Sequence, residues 1–408
     1  MRRPMLCVVV ALALVPSSAG AQSLMLTESD ALARLSTNSP RVRAIRSGVD
    51  LARVDVLAAT RWPNPRVNIT RESVAGVTEY LALVSQPLPI TGRRGLDEQG
   101  ASALVSASSS RADDEVRRLQ TDLRLAFADL VDAQTREHEL TTTVDRLREL
   151  TDVLANRETA GDAAGFDRLR AERELLDVDT DRSIAATNRV RAQAILASFF
   201  DNMPDPSRIV AVGRSISPAP PPPLEALLEI AESARGELVA LQHEVEAADF
   251  AARGAGRRPV PEPEIVGGIK TSTVGGRDIG GVIGVRLTLP LFDRAGPEKG
   301  LAVARDAQAR ARLDALRLVL RGQITALRAA AVERRGTAER YRAEAIASAD
   351  QIERIAQVSY DAGERGILEL LDAYRIGSSA RIRQSALDAT VRQAEIELAF
   401  VSGWEISQ

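Results

Sequence analysis

Hydrophobic and polar positions alternate with two different periods, and the order of periods occurs twice. In each half, short helical segments lead through prolines into period-two stretches. A Pro-Leu exit and a very long helical pattern follow. Thr27 to Ser39 and Pro40 to Arg61 read as short helices, and Trp62-Pro63-Asn64-Pro65 stops the second, because proline cannot continue a helix. Val67 and Ile69 then alternate with Asn68, Thr70 and Glu72. After a turn at Ala75-Gly76, Tyr80, Ala82 and Val84 face one way, with Leu81 and Leu83 blurring the pattern. This predicts strands over about 65–73 and 77–88.

From Arg93 to Arg157 the period is helical. Val116, Leu119, Leu123, Ala126, Leu130, Ala133, Leu140, Val144, Leu147 and Leu154 form a heptad-like seam, with Glu137 and Thr151 at its remaining positions. Some 60 residues at 1.5 Å each predict a rod of roughly 90–100 Å. Gly161 and Gly165 mark a tip, and Phe166 to Phe199 returns as helix, so a long hairpin is expected over about 93–200. A Pro-rich connector over 201–223 ends the first copy, residues 22–200. The second copy, residues 224–408, repeats the order: helices Leu224 to Ala234 and Glu237 to Arg253, a break at Pro259, Pro261 and Pro263, and strands over about 263–272 and 277–290. Ile279, Ile283, Val285, Leu287 and Leu289 share one strand face, with Arg286 and Thr288 on the other. A second hairpin over about 296–402 has Leu313, Leu316, Leu320, Ile324, Leu327 and Ala331 in its seam and a tip at Gly363 and Gly366. The tips correspond: Thr159-Ala160-Gly161-Asp162 echoes Asp361-Ala362-Gly363-Glu364. The chain is therefore a duplicated unit, mainly helical with a small β part.

Residues 1–21 read as a signal peptide: Arg2 and Arg3 are basic, Leu6 to Val15 is apolar, and Ala19-Gly20-Ala21 is a small-residue cleavage site. The only cysteine, Cys7, lies inside it and not after a cleavage signal, so neither a lipid anchor nor a disulfide is expected. The formal charge of −3 falls to −5 once Arg2 and Arg3 leave with the leader, which argues against nucleic acid as a partner. Aromatics make up only 3% and charged residues 27%, the balance of long helices. Four strands match the length of membrane-barrel strands, roughly 9–11 residues, but cannot close a barrel alone. Three chains pooling them would give twelve. A soluble periplasmic coiled-coil adaptor or scaffold remains the alternative at this point.

The motifs Asn38-Ser39-Pro40, Trp62-Pro63-Asn64-Pro65, the exits Pro87-Leu88-Pro89 and Pro290-Leu291-Phe292, and Tyr360-Asp361-Ala362-Gly363-Glu364-Arg365-Gly366-Ile367-Leu368-Glu369-Leu370-Leu371-Asp372-Ala373 occur in this order. With them the mature chain resembles the TolC family of trimeric outer-membrane efflux factors. Trp62-Pro63-Asn64-Pro65 and Thr91-Gly92-Arg93-Arg94 are most like its heavy-metal (CzcC-like) branch. The resemblance implies a homotrimer with a shared 12-stranded β-barrel in outer-membrane lipid and a long periplasmic α-barrel. It would be the passive exit duct of a tripartite pump. A periplasmic adaptor (membrane fusion) protein and an inner-membrane RND-type transporter would be its partners. No enzyme activity and no cofactor are implied. It also implies a periplasmic latch of Asp167 with Tyr360 and Arg365, an acidic entrance ring of Glu369 and Asp372, and adaptor docking on the tip turns at Gly161, Gly165, Gly363 and Gly366. One carboxylate can accept from both a guanidinium and a phenol. Glu369 and Asp372, three apart, share a helix face. His138 and His243 have no ligand spacing, and Gly254-Ala255-Gly256-Arg257-Arg258 follows a helix rather than a strand, so neither suggests metal or phosphate chemistry.

Overall fold

The fold comes from a computed structural model that describes residues 23–35, 39–161, 165–201, 203, 205–213, 219–292 and 294–406. The leader, Asn38 and Asp162 lie outside them. Strand β1 (Leu24–Leu26) pairs in parallel with β4 (Ile209–Ala211), tying the start of the described chain to the connector. Helix α1 (Glu28–Arg34) starts on a capping box: Thr27 Oγ1 accepts from the Asp30 amide (3.1 Å), and the Asp30 carboxylate accepts from the Thr27 amide (3.1 Å). Helix α2 (Pro40–Thr60) has proline at its first position and Ser39 as its cap, accepting from the Val42 amide.

Strands β2 (Arg66–Val74), β3 (Val77–Pro87), β5 (Pro263–Ser272) and β6 (Asp278–Leu287) form one antiparallel sheet in the order β2-β3-β5-β6. Ala75 (φ 52°) and Gly76 (φ 82°) make the two-residue turn between β2 and β3, a loop that needs positive φ at both positions. The register separates the sheet's faces. On one side lie Val67 and Ile69, then Tyr80, Ala82 and Val84, then Ile265 and Ile269, then Ile279, Ile283 and Val285. On the other lie Arg66, Asn68 and Thr70, Glu79, Glu264 and Lys270, Asp278 and Arg286, joined by the pairs Arg66–Glu264 (2.8 Å), Arg286–Glu264 (3.4 Å) and Lys270–Glu79 (2.7 Å). Leu81 and Leu83 sit on this polar face. Leu83 covers Gly268, where a Cβ would lie 2.1 Å from the Ala82 carbonyl oxygen, so the bulk that glycine leaves out is supplied from the next strand. The apolar side is bare: Ile69, Ile279, Ile283 and Val285 are all at least 70% exposed. An exposed apolar patch of this extent marks a membrane or partner surface.

Helix α3 (Arg93–Thr159) runs 67 residues, about 100 Å. Its seam is the predicted one, with Leu123, Ala126, Leu130, Leu140, Val144, Leu147 and Leu154 buried. The hairpin expectation holds for half its length. Helix α4 (Gly165–Ala197) has 33 residues and covers only the tip half of α3. The half near the sheet packs on α2 and on α6 (Gly236–Arg257), which belongs to the other repeat. The second rod is built likewise. Helix α7 (Gly296–Tyr341) continues through a π-helical segment, Arg342–Ile346, into α8 (Ala347–Asp361). It packs on α6 and α5 (Leu224–Ala234) near the sheet and on α9 (Ile367–Ser402) toward the tip. The π segment adds a residue to the turn where an unbroken helix was expected, and Arg342 there pairs with Asp388 of α9 (2.6 Å).

Where α6 meets α3, Gly236 lacks a side chain by necessity: a Cβ would stand 2.5 Å from the Ser110 carbonyl oxygen. Beside it, buried Arg235 pairs with Asp114 (3.3 Å) and stacks 4.1 Å from the Phe400 ring centroid. Gly236→Ala is expected to destabilise the chain by about 1–3 kcal/mol through forced displacement of α6. A lowered midpoint of thermal unfolding, monitored by helical circular dichroism, checks this.

Candidate functional site at the helical tips

Both hairpins turn on glycines held in the left-handed region, Gly161 (φ 84°) and Gly363 (φ 73°). At the second tip the Gly363 amide donates to the Tyr360 carbonyl (3.0 Å), and the Glu364 and Arg365 amides donate to the Ser359 carbonyl (2.9 and 3.2 Å). These bonds satisfy the last carbonyls of α8. Gly165 opens α4 and Gly366 caps α9. A buried cluster of Leu147, Leu150, Leu154, Ala171, Ala356, Ile367, Leu370 and Leu371 joins all four helices just behind the turns.

Tyr360 packs against this cluster at the end of α8, and the Arg157 guanidinium lies 5.7 Å from its ring centroid. Burial pushes the Tyr360 phenol up; Arg157 opposes the rise, and the carboxylates of Asp167 and Asp361 add to it. Asp167 is half-buried in the first turn of α4, and no hydrogen bond joins its side chain to that of Tyr360. Arg365 is exposed and makes no side-chain ion pair or hydrogen bond among the described residues. Glu369 and Asp372 are both exposed in the first turns of α9 and form no ion pair among the described residues. Asp372 acts on Arg375, whose guanidinium is raised above its ordinary value chiefly by its bond to Glu174 of α4 (2.5 Å).

Farther from the tip lies an arginine hub with no counterpart in the sequence motifs. Arg381 of α9 reaches Glu139 of α3 (2.8 Å) and Asp350 and Glu353 of α8 (3.2 and 3.1 Å), and Arg146 of α3 also pairs with Glu353. It ties the second hairpin to the first rod. Among the described residues no group of histidine, cysteine, aspartate or glutamate has the arrangement of a metal site.

No protein-family model matches the chain. A curated relative, the cobalt-zinc-cadmium resistance protein CzcC of Cupriavidus metallidurans, is 24% identical over 387 residues, covering 93% of this chain and 90% of the relative. Among solved structures, the outer-membrane channel OprN aligns with a TM-score of 0.72 at 17% identity, covering 92% of this chain and 89% of that one. CusC gives 0.72 at 14% identity over 98% of both chains. The Campylobacter jejuni CmeC outer-membrane channel gives 0.72 at 13%, covering 98% of this chain and 94% of that one. The fold is that of the TolC family of outer-membrane channels. The four-stranded sheet and the glycine turns lie at opposite ends of the rods, so the tip residues are about one rod length from the sheet.

Proposed function

We propose that this chain is one third of an outer-membrane exit duct. The observation that carries the reading is the sheet: four strands of barrel length, one bare apolar face, one ion-paired polar face, and two outer strands, β2 and β6, each hydrogen-bonded on one side only. In lipid each unpaired backbone group costs several kcal/mol, so an edge survives only if another chain completes it. Three copies close twelve strands. The rods supply matching surface, since Leu169, Leu176 and Ile184 of α4 and Ile355 and Val358 of α8 are exposed. The duct conducts passively, and a periplasmic adaptor and an RND-type inner-membrane transporter deliver cargo to its tips. The purified protein is expected to run as an SDS-resistant trimer and to conduct ions in a planar bilayer. A monomer that is electrically silent in lipid sinks the reading.

Metal cations are the cargo this reading favours, on the strength of the relative named for cobalt, zinc and cadmium resistance. Deleting the gene should lower tolerance to those ions, and unchanged tolerance sinks the cargo assignment. At the tips, Asp167 with Tyr360 and Arg365 forms the resting latch, with Arg365 reaching a neighbouring chain. Glu369 and Asp372 from three chains place six carboxylates around the entrance, a ring that favours cations. Gly161, Gly165, Gly363 and Gly366 keep the turns slim enough for an adaptor to seat on them. Tyr360→Phe with Arg365→Ser is expected to raise single-channel conductance and open time. Traces indistinguishable from wild type would remove the latch.

A further inference from the structure

We infer that the foot of the sheet is a docking surface for the anionic headgroups of phospholipids in the periplasmic leaflet of the membrane. The inference rests on the channel reading above. All four crossings between sheet and helices carry arginine: Arg61 before β2, Arg93 and Arg94 after β3, Arg257 and Arg258 before β5, and Arg294 after β6. Three of the described acids at this level are already engaged. Glu298 pairs with Arg258, Glu262 accepts from the Thr91 hydroxyl (2.7 Å), and Asp97 lies 3.7 Å from Arg93. Arg61, Arg94, Arg257 and Arg294 make no ion pair among the described residues.

Helix polarity makes the placement costly without an external anion. Arg93 and Arg94 occupy the first turn of the 67-residue α3, a turn with no acidic residue. The positive end of a helix dipole disfavours cations there. Arg94 Nη1 is buried without a hydrogen-bond partner, while its guanidinium lies 5.2 Å from the ring centroid of Trp62. Trp62 is 57% exposed, and Phe292, at the foot of the opposite edge strand, is 99% exposed. A tryptophan beside arginines at the end of an apolar band is the arrangement that membrane–water interfaces select. At the other end Arg71 likewise lies over an exposed aromatic, Tyr80 (5.6 Å to the ring centroid), so the two ends differ in their charge balance. There Arg71, Lys270 and Arg277 are balanced by Glu72, Glu79 and Asp278, and Lys270 is paired with Glu79. The charge excess is confined to the foot, and phosphodiesters match guanidinium geometry.

The test uses the full-length trimer in nanodiscs of mixed phosphatidylcholine and phosphatidylglycerol, with retained lipid read by native mass spectrometry. Phosphatidylglycerol is expected to be enriched about fivefold or more over its bulk share, since a surface arginine contributes about that factor. The enrichment should weaken in molar salt. R61Q/R94Q/R257Q/R294Q should abolish it, and R71Q/R277Q at the opposite end should leave it intact. R94Q/R257Q, expected to lose most of it, keeps the test open if the fourfold variant fails to assemble. Equal retention of both lipids by the wild type overturns the inference, as does an unchanged foot variant or displacement of the lipid by inorganic phosphate. Conductance is recorded on the same preparations: a conducting trimer without lipid preference overturns the docking surface alone, whereas a silent monomer overturns the channel reading.

Discussion

Replacing Arg335 with methionine is expected to cost about 3–5 kcal/mol, because it takes one ion-pair partner away from a buried carboxylate. Glu395 of α9 is 0% exposed. Arg335 of α7 pairs with it directly, and Arg392 lies 3.8 Å away. Arg392 in turn holds Glu28 of α1 (2.5 Å), and Glu28 also meets Arg124 of α3 (3.3 Å). This chain of charges locks both rods and the N-terminal helix together at mid-height. Removing both charges, as Arg335→Met with Glu395→Met, should recover most of the loss, since packed apolar groups often replace a buried pair without penalty. The midpoint of thermal unfolding, followed by helical circular dichroism, reads both variants. A single variant that melts with the wild type, or a double variant worse than the single, would show that this pair does not hold the rods.

The sequence carried the sheet well because each strand obeys one rule. Alternation at Val67 and Ile69 and at Ile279, Ile283 and Val285 is the local signature of a surface with two different solvents. The strands fell within a few residues of their predicted bounds for that reason. The tips were legible too, since Gly161 and Gly363 each hold a backbone angle that other residues resist. What surrounds the rods was not. The seam of α3 says which face is buried and nothing about which helix buries it, so the replacement of α4 by α6 halfway along was invisible. Likewise Arg381, Arg335 and Arg392 meet acids from distant segments, and such pairs leave no period in the sequence. The π segment at Arg342–Ile346 escaped for a related reason: its residues RAEAI have ordinary helix propensity, so nothing local marks the extra residue per turn.

On the channel reading the register makes a sharper demand than the fold does, because adjacent residues of β6 would face different solvents. Ile283 lies in the middle of that strand, opposite Gly267, on the bare apolar side, and is 90% exposed. An arginine at the midplane of a barrel's lipid face costs about 2–4 kcal/mol. In the proposed trimer three such arginines would enter one barrel, so Ile283→Arg should nearly eliminate trimer from the outer-membrane fraction. Val282, one residue earlier, pairs with Gly268 on the polar side. Val282→Arg should assemble normally and change only ion selectivity, by adding three cations to the lumen. Propensity is the same for both substitutions, so any difference between them reports which face meets lipid. Equal assembly of the two variants, or the opposite order, would mean that the sheet does not sit in the membrane with Ile283 outward.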